Sequence, residues 1–163
     1  MHFIQKKARM VIRSNEQQVG INYFKTFTSM LRYTTLRILL AKAATKDLEA
    51  EHVDINIAFL NPDLIEEVYM KVLQFLEEVY LELREIVDAF LKLNKSLYRL
   101  KQAPRAWFYI VKKFFQELRL KSSTADPNLF TRYRVSILLF VNDMLIVSKR
   151  QQVDTIKAKI LKQ

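Results

Sequence analysis

Between Val135 and Ser148 the chain reads VSILLFVNDMLIVS. Five apolar residues in succession, Ile137 to Val141, meet the polar pair Asn142-Asp143, and Met144 to Val147 carry the chain away again. Apolar runs of this length, rich in β-branched and aromatic residues, predict a buried β-hairpin. Asn and Asp tolerate positive φ, so Asn142-Asp143 suits its two-residue turn. Alone, the stretch reads as an ordinary hairpin tip; the functional alternative is a rigid tip whose acids hold a divalent ion. Upstream, residues 51–60 alternate strictly. Val53, Ile55, Ile57 and Phe59 fall on one face, and His52, Asp54, Asn56 and Ala58 on the other, which predicts a strand ended by Asn61-Pro62-Asp63. Asp54 in mid-strand needs a partner, or the strand lies at a sheet edge with a solvated face.

The remaining pattern supplies helices and short strands. Residues 1–13 alternate loosely between apolar and basic positions and predict a short basic strand, and residues 14–33 predict a loop with a turn at Gly20. From Thr34 to about Lys46 the period is helical, with Thr34 or Thr35 as the cap and Leu36, Leu39, Leu40 and Ala43 on one face. Leu64 to Val72 fits a strand or a helix. Glu77 to Leu93 has helical spacing at Val79, Leu83, Ile86, Val87, Phe90 and Leu91, with its acids on a solvated face. Pro104 suits the first turn of a helix whose apolar stripe is Trp107, Val111, Phe114, Phe115 and Leu118. A polar loop, a strand over Leu129 to Tyr133, the hairpin, and a basic amphipathic helix over 150–162 complete the chain. The expected class is α/β, of the α+β style, in a single domain over 1–163.

Charge narrows the partner. The 163 residues carry a formal charge of +10, which points to a polyanion such as nucleic acid. The surplus is uneven: two basic flanks enclose a middle third, residues 51–100, in which acids outnumber bases. There is no cysteine and only two histidines, His2 and His52, so a thiolate or His-rich metal site is excluded and any metal would sit on carboxylates. No apolar run spans a membrane and no signal peptide is evident, which fits an intracellular protein without membrane contact. A single glycine in the whole chain, against about 7% in ordinary proteins, means that turns use other residues or that residues the fold once used are lost.

Seven stretches, in order, give the chain a resemblance. They are KARMV (Lys7 to Val11), TTLR (Thr34 to Arg37), VDINIAFLN (Val53 to Asn61), EEVYMK (Glu66 to Lys71), SLYRLKQAPRAW (Ser96 to Trp107), ADPNLF (Ala125 to Phe130) and FVNDMLIVS (Phe140 to Ser148). Together they resemble the reverse transcriptase domain of copia-type LTR retrotransposon Pol polyproteins. The resemblance implies a fingers-palm fragment, with a small antiparallel sheet backed by helices, and RNA-directed DNA polymerase as its activity. It also implies an RNA or DNA template-primer and a deoxynucleoside triphosphate as partners. In such enzymes two divalent ions, Mg²⁺ or Mn²⁺, stabilise the attacking and leaving oxygens. By resemblance Asp54 is the strand aspartate, and the tip pair of aspartates maps onto Asn142 and Asp143. Phe59 matches the aromatic gate against a ribose 2′-OH, which requires the strand to end or bend before it. Gln102 matches the glutamine of the nucleotide pocket, and Lys7 and Arg9 match the basic finger strand that meets a triphosphate. Lys101 and Arg105 are candidate phosphate contacts or solvated helix-end charges.

The departures carry equal weight. Asn142 stands where the family's tip has its principal metal-ligating acid. At ~4 Å from a divalent ion, one lost unit charge is worth roughly 8 kcal/mol at an effective dielectric of about 20 before compensation, and each ~1.4 kcal/mol is tenfold in rate. Positions where the family usually has glycine hold Ser14, Pro62, Gln74, Arg99 and Arg119. The family's chain continues into more palm, a thumb-like connection and an RNase H domain, whereas this sequence stops at Gln163, so an incomplete template grip is expected. The expectation is a remnant polymerase with weak or no activity. The alternatives are a non-catalytic basic nucleic-acid-binding module and a decayed chain that folds poorly.

Overall fold

The computed structural model describes residues 10–26, 28–73, 76–81 and 90–161. In chain order the elements are α1 (Tyr33–Thr45), β1 (Glu49–Asp54), β2 (Tyr69–Lys71), α2 (Leu76–Val79), β3 (Phe90–Lys92) and α3 (Ala103–Glu117). They are followed by β4 (Lys121–Ser122), β5 (Leu129–Arg132), β6 (Val135–Phe140), β7 (Asp143–Ser148) and α4 (Arg150–Ile160). Among the described residues this is a mixed α/β protein with a small antiparallel sheet backed by helices, as the pattern predicts. The chain divides into two compact units, Met1–Thr26 with Phe59–Trp107, and Phe27–Ala58 with Phe108–Gln163.

The second unit holds a five-stranded antiparallel sheet in the order β1-β7-β6-β5-β4. Its central hairpin is buried on both faces, which explains why β6 and β7 read as continuous apolar runs and not as alternation. One face carries Leu138 and Val147 against Leu39 and Ala43 of α1. On the other, Phe130, Ile137 and Ile146 are cross-strand neighbours, and Phe115 of α3 meets Phe130 edge-on at 4.8 Å. Lys157 of α4 forms an ion pair with Glu51 of β1, which tethers that helix to the sheet. Within α1, Leu39 and Ala43 are buried, but Leu40, expected on the same face, is exposed.

The start of α1 is not capped by Thr34 or Thr35. The N-cap residue is Arg32, which makes no side-chain cap bond. Asp126, buried and far away in sequence, supplies the acceptor instead. Its Oδ2 takes bonds from the Arg32 N–H at 3.3 Å and the Thr35 hydroxyl at 2.6 Å, and its Oδ1 takes the Asn128 N–H at 3.0 Å. A carboxylate at a helix N-terminus satisfies orphan donors and suits the helix dipole.

Three other expectations change. The strand predicted over 51–60 stops at Asp54, because its partner β7 begins at Asp143 and no strand lies beyond the tip. The last bond of the ladder is Ile55 N–H to the Asn142 carbonyl, at 3.0 Å. Ile57 then takes φ 55 and is exposed, while Ala58–Leu60 form a 3-10 turn in which Ala58, not Ile57, is buried. The hairpin turn lies one residue earlier than predicted: Phe140 pairs with Asp143, so the turn residues are Val141 and Asn142. Of these Val141 holds positive φ, at 58. The helix predicted over Glu77 to Leu93 is confined, among the described residues, to Leu76–Val79. Phe90–Lys92 pair with Tyr69–Lys71 as a two-stranded sheet, and cross-strand bonding overrides the helical spacing there. Residues 82–89 of that prediction lie outside the described residues, as do residues 1–9 of the predicted N-terminal strand. Val11 makes a single parallel bridge with Tyr98.

The first unit packs Val68, Leu100 and Ala103 with Ile12, Phe59, Leu64, Leu93 and Leu97. Of the five positions where the resemblance expects glycine, Arg99 and Arg119 hold φ of 71 and 60. A side chain there costs about 1–2 kcal/mol. Gln74 lies outside the described residues.

Candidate active site

β1 and β7 bring the predicted acids together. Asp54 and Asp143 are direct cross-strand partners at the end of the ladder, so both side chains project from the same sheet face. Their register is fixed by burial next door, where Val53 pairs with Met144 and both are in the core. Asn142 joins them from the turn: its Nδ2 donates to Asp54 Oδ1 at 2.6 Å. His52, two residues before Asp54 and on the same strand face, contacts Asp143 Oδ1 through Nε2 at 2.8 Å. Its link to the acids follows from the alternation of residues 51–60, but only the cross-strand register shows which acid it meets.

The donor set can be tested against a divalent ion. Two carboxylates in register are suitable hard-oxygen ligands. The third position offers Asp54 an N–H donor where an ion needs another oxygen. Among the described residues no group of three or more His, Asp or Glu side chains forms a metal cluster. Asp54 and Asp143 would be the charged ligands of a divalent ion here, and the Asn142 amide adds no negative charge to them.

Four further predicted residues among those described lie in the first unit. Gln102 is buried and its amide is engaged on both sides: it accepts from Gln17 Nε2 at 3.1 Å and donates to the Asn22 carbonyl at 3.0 Å. Lys101 donates its backbone N–H to Gln17 Oε1 at 2.9 Å. Its ammonium reaches the Gln17 carbonyl and the Tyr23 hydroxyl and sits 4.9 Å from the Tyr23 ring centroid. Lys101 and Gln102 thus clamp the loop that turns at Gly20. Composition gave no hint of Gln17 and Tyr23 as their partners. Phe59 sits in the 3-10 turn, half-buried, with its ring edge-on to Tyr98 at 6.0 Å. Arg105 lies half-exposed in the first turn of α3, and Lys7 and Arg9 lie outside the described residues.

The two carboxylates thus stand side by side at one end of the β1–β7 ladder, where the resemblance expects two of its aspartates. Comparison with known proteins agrees. Residues 2–163 match the family described as reverse transcriptase (RNA-dependent DNA polymerase). The chain is 38% identical over 151 residues to the retrovirus-related Pol polyprotein from transposon TNT 1-94 of Nicotiana tabacum, covering 90% of this chain and 11% of that protein. It is 33% and 32% identical to the corresponding polyproteins from transposons RE1 and RE2 of Arabidopsis thaliana, covering 86% of this chain and 10% of each. No solved structure matches. The chain belongs to the reverse transcriptase family, as a copia-type domain of retrotransposon Pol polyproteins. It spans about a tenth of the length of those relatives. An unrelated basic nucleic-acid-binding module is not favoured. Among the described residues no helix is long and apolar enough to cross a membrane.

Proposed function

We propose that this chain is the fingers-palm part of an RNA-directed DNA polymerase that has lost most or all of its nucleotidyl transfer. Asn142 carries the reading: where the family places an acid, it presents an amide N–H to Asp54 at 2.6 Å. The family uses divalent ions, and Mg²⁺ or Mn²⁺ supplies charge to stabilise both oxygens of the transfer. In this chain Asp54 and Asp143 would be the remaining ligands. In this reading the partners are an RNA or DNA template-primer and a deoxynucleoside triphosphate, and the protein acts inside the cell.

Gln102 and Lys101 act in this reading as positioning residues. They hold the Gln17–Tyr23 loop, and Phe59 is the candidate gate against ribonucleotides. Arg105, Lys7 and Arg9 are candidate contacts to phosphate. Primer extension with Mg²⁺ or Mn²⁺ tests the proposal: the unmodified chain should give little or no product, and robust extension would refute it. Extension by Asn142→Asp would locate the loss in the metal site.

A further inference from the structure

A groove of about 400 Å³ lies in the second unit, where the end of α3, the β5–β6 turn and α4 meet. Its floor is aliphatic: Leu118, Leu120, Val135 and Ile156. Its rim is cationic, with Arg132 and Lys159, and among the described residues no carboxylate lines it. On α4, Asp154 is paired with Arg150, and Glu117 lies next to Leu118 in the chain without lining the groove. Arg132 spends one N–H on the Leu118 carbonyl at 2.8 Å, and neither it nor Lys159 has an ion-pair partner among the described residues.

The turn at the mouth of the groove is strained. Tyr133 has φ 47 and is 87% exposed, with the Arg134 guanidinium 5.2 Å from its ring centroid. A bulky residue in this conformation is an outlier, and here no burial of the ring compensates for it. An exposed aromatic, two unpaired cations and an aliphatic floor together have the composition of a recognition surface. They lie at the Val135 end of β6, whereas the carboxylate pair lies at the opposite end, beyond Phe140.

We propose that this groove docks a peptide segment of a partner protein, with aliphatic side chains on the floor and acidic side chains against Arg132 and Lys159. The aliphatic floor favours protein over nucleic acid, because a phosphate backbone gains nothing from Leu118, Leu120 and Ile156.

The test uses the intact chain and a short fluorescein-labelled peptide of leucine and glutamate, with its leucine-lysine counterpart and an oligothymidylate as competitors. Saturable binding of the acidic peptide is expected, weakened at least tenfold by Lys159→Glu and by Ile156→Asp. Lys46→Glu removes the same charge near the end of α1 and should leave binding unchanged, and circular dichroism confirms that each variant is folded. The proposal is overturned if Lys46→Glu weakens binding as much as Lys159→Glu, since attraction is then general charge. It is equally overturned if oligothymidylate displaces the peptide through Lys159, or if the lysine peptide binds as well.

Discussion

Asn142 and Asp54 are joined by a hydrogen bond of 2.6 Å in which the amide donates and the carboxylate accepts. Through that bond the amide gives Asp54 a neutral donor and brings no negative charge to the tip. A cation between two acids draws oxygens toward itself, whereas the amide N–H supplies the positive end of the contact without any ion.

The unmodified tip should therefore be indifferent to divalent ions. Asn142→Asp replaces the donor with a third carboxylate and should lower stability by about 1–3 kcal/mol in metal-free buffer. For a chain of this size that is roughly 2–4 °C in Tm per kcal/mol. Millimolar Mn²⁺ should restore the loss in the variant and leave the parent unmoved, as read by thermal melts with and without chelator. A parent chain stabilised by Mn²⁺ as strongly as the variant would show that the amide does not exclude the ion.

Asp126 should be among the costliest single side chains to remove. Asp126→Ala takes acceptors from the Arg32 and Asn128 N–H groups and the Thr35 hydroxyl at once. The buried Asn128 donor left unpaired costs about 1–3 kcal/mol and the two part-buried donors less, so a total of roughly 2–4 kcal/mol is expected from urea denaturation. Hydrogen exchange should quicken first at the start of α1. A loss under about 0.5 kcal/mol, the range of ordinary surface changes, would mean the cap is not formed.

Arg99 and Arg119 point the other way. Both hold positive φ, so glycine relieves backbone strain at some cost in unfolded-chain entropy. Each of Arg99→Gly and Arg119→Gly should stabilise by about 0.5–1 kcal/mol. Destabilisation by either would assign the arginine side chain a contact worth more than the strain.

The Lys157–Glu51 pair gives a pH signature. The hydrogen bond from Lys157 and its charge hold the Glu51 carboxyl below its ordinary value of 4.5. A depressed carboxylate contributes stability above its unfolded pKa and loses it as pH falls through the folded one. Below pH 4.5 the parent should lose stability more steeply than Glu51→Gln, and the gap should shrink in high salt. Superimposable acid titrations at low salt would refute the contribution.

Much of the palm was legible because its strongest signals are local. The runs of β6 and β7, the stripe of α3 and the amphipathic α4 come from burial on one or both faces, and burial writes itself into sequence. What was misread depends on partners distant in the chain. Nothing within residues 51–60 shows that β7 starts at Asp143, so nothing local ends β1 at Asp54. Phe90 and Leu91 fit a helical period until Tyr69 to Lys71 pair with them. Val141 looked like core because a β-branched residue rarely accepts positive φ, and Asn142-Asp143 looked like the better turn. Asp126 stood in a recognisable motif, but its task is set by Arg32 and Thr35, over ninety residues away.

The β1–β7 register keeps its place without help from chemistry. Val53 and Met144 pair in the core beside the acids, and a slip of β1 by one residue would move Val53 to the face that His52 and Asp54 occupy. Position 142 is therefore presented to Asp54 whatever side chain it bears. In the proposed reading the scaffold outlasts the reaction, and Asn142→Asp would set an acid opposite Asp54 in a frame already in alignment.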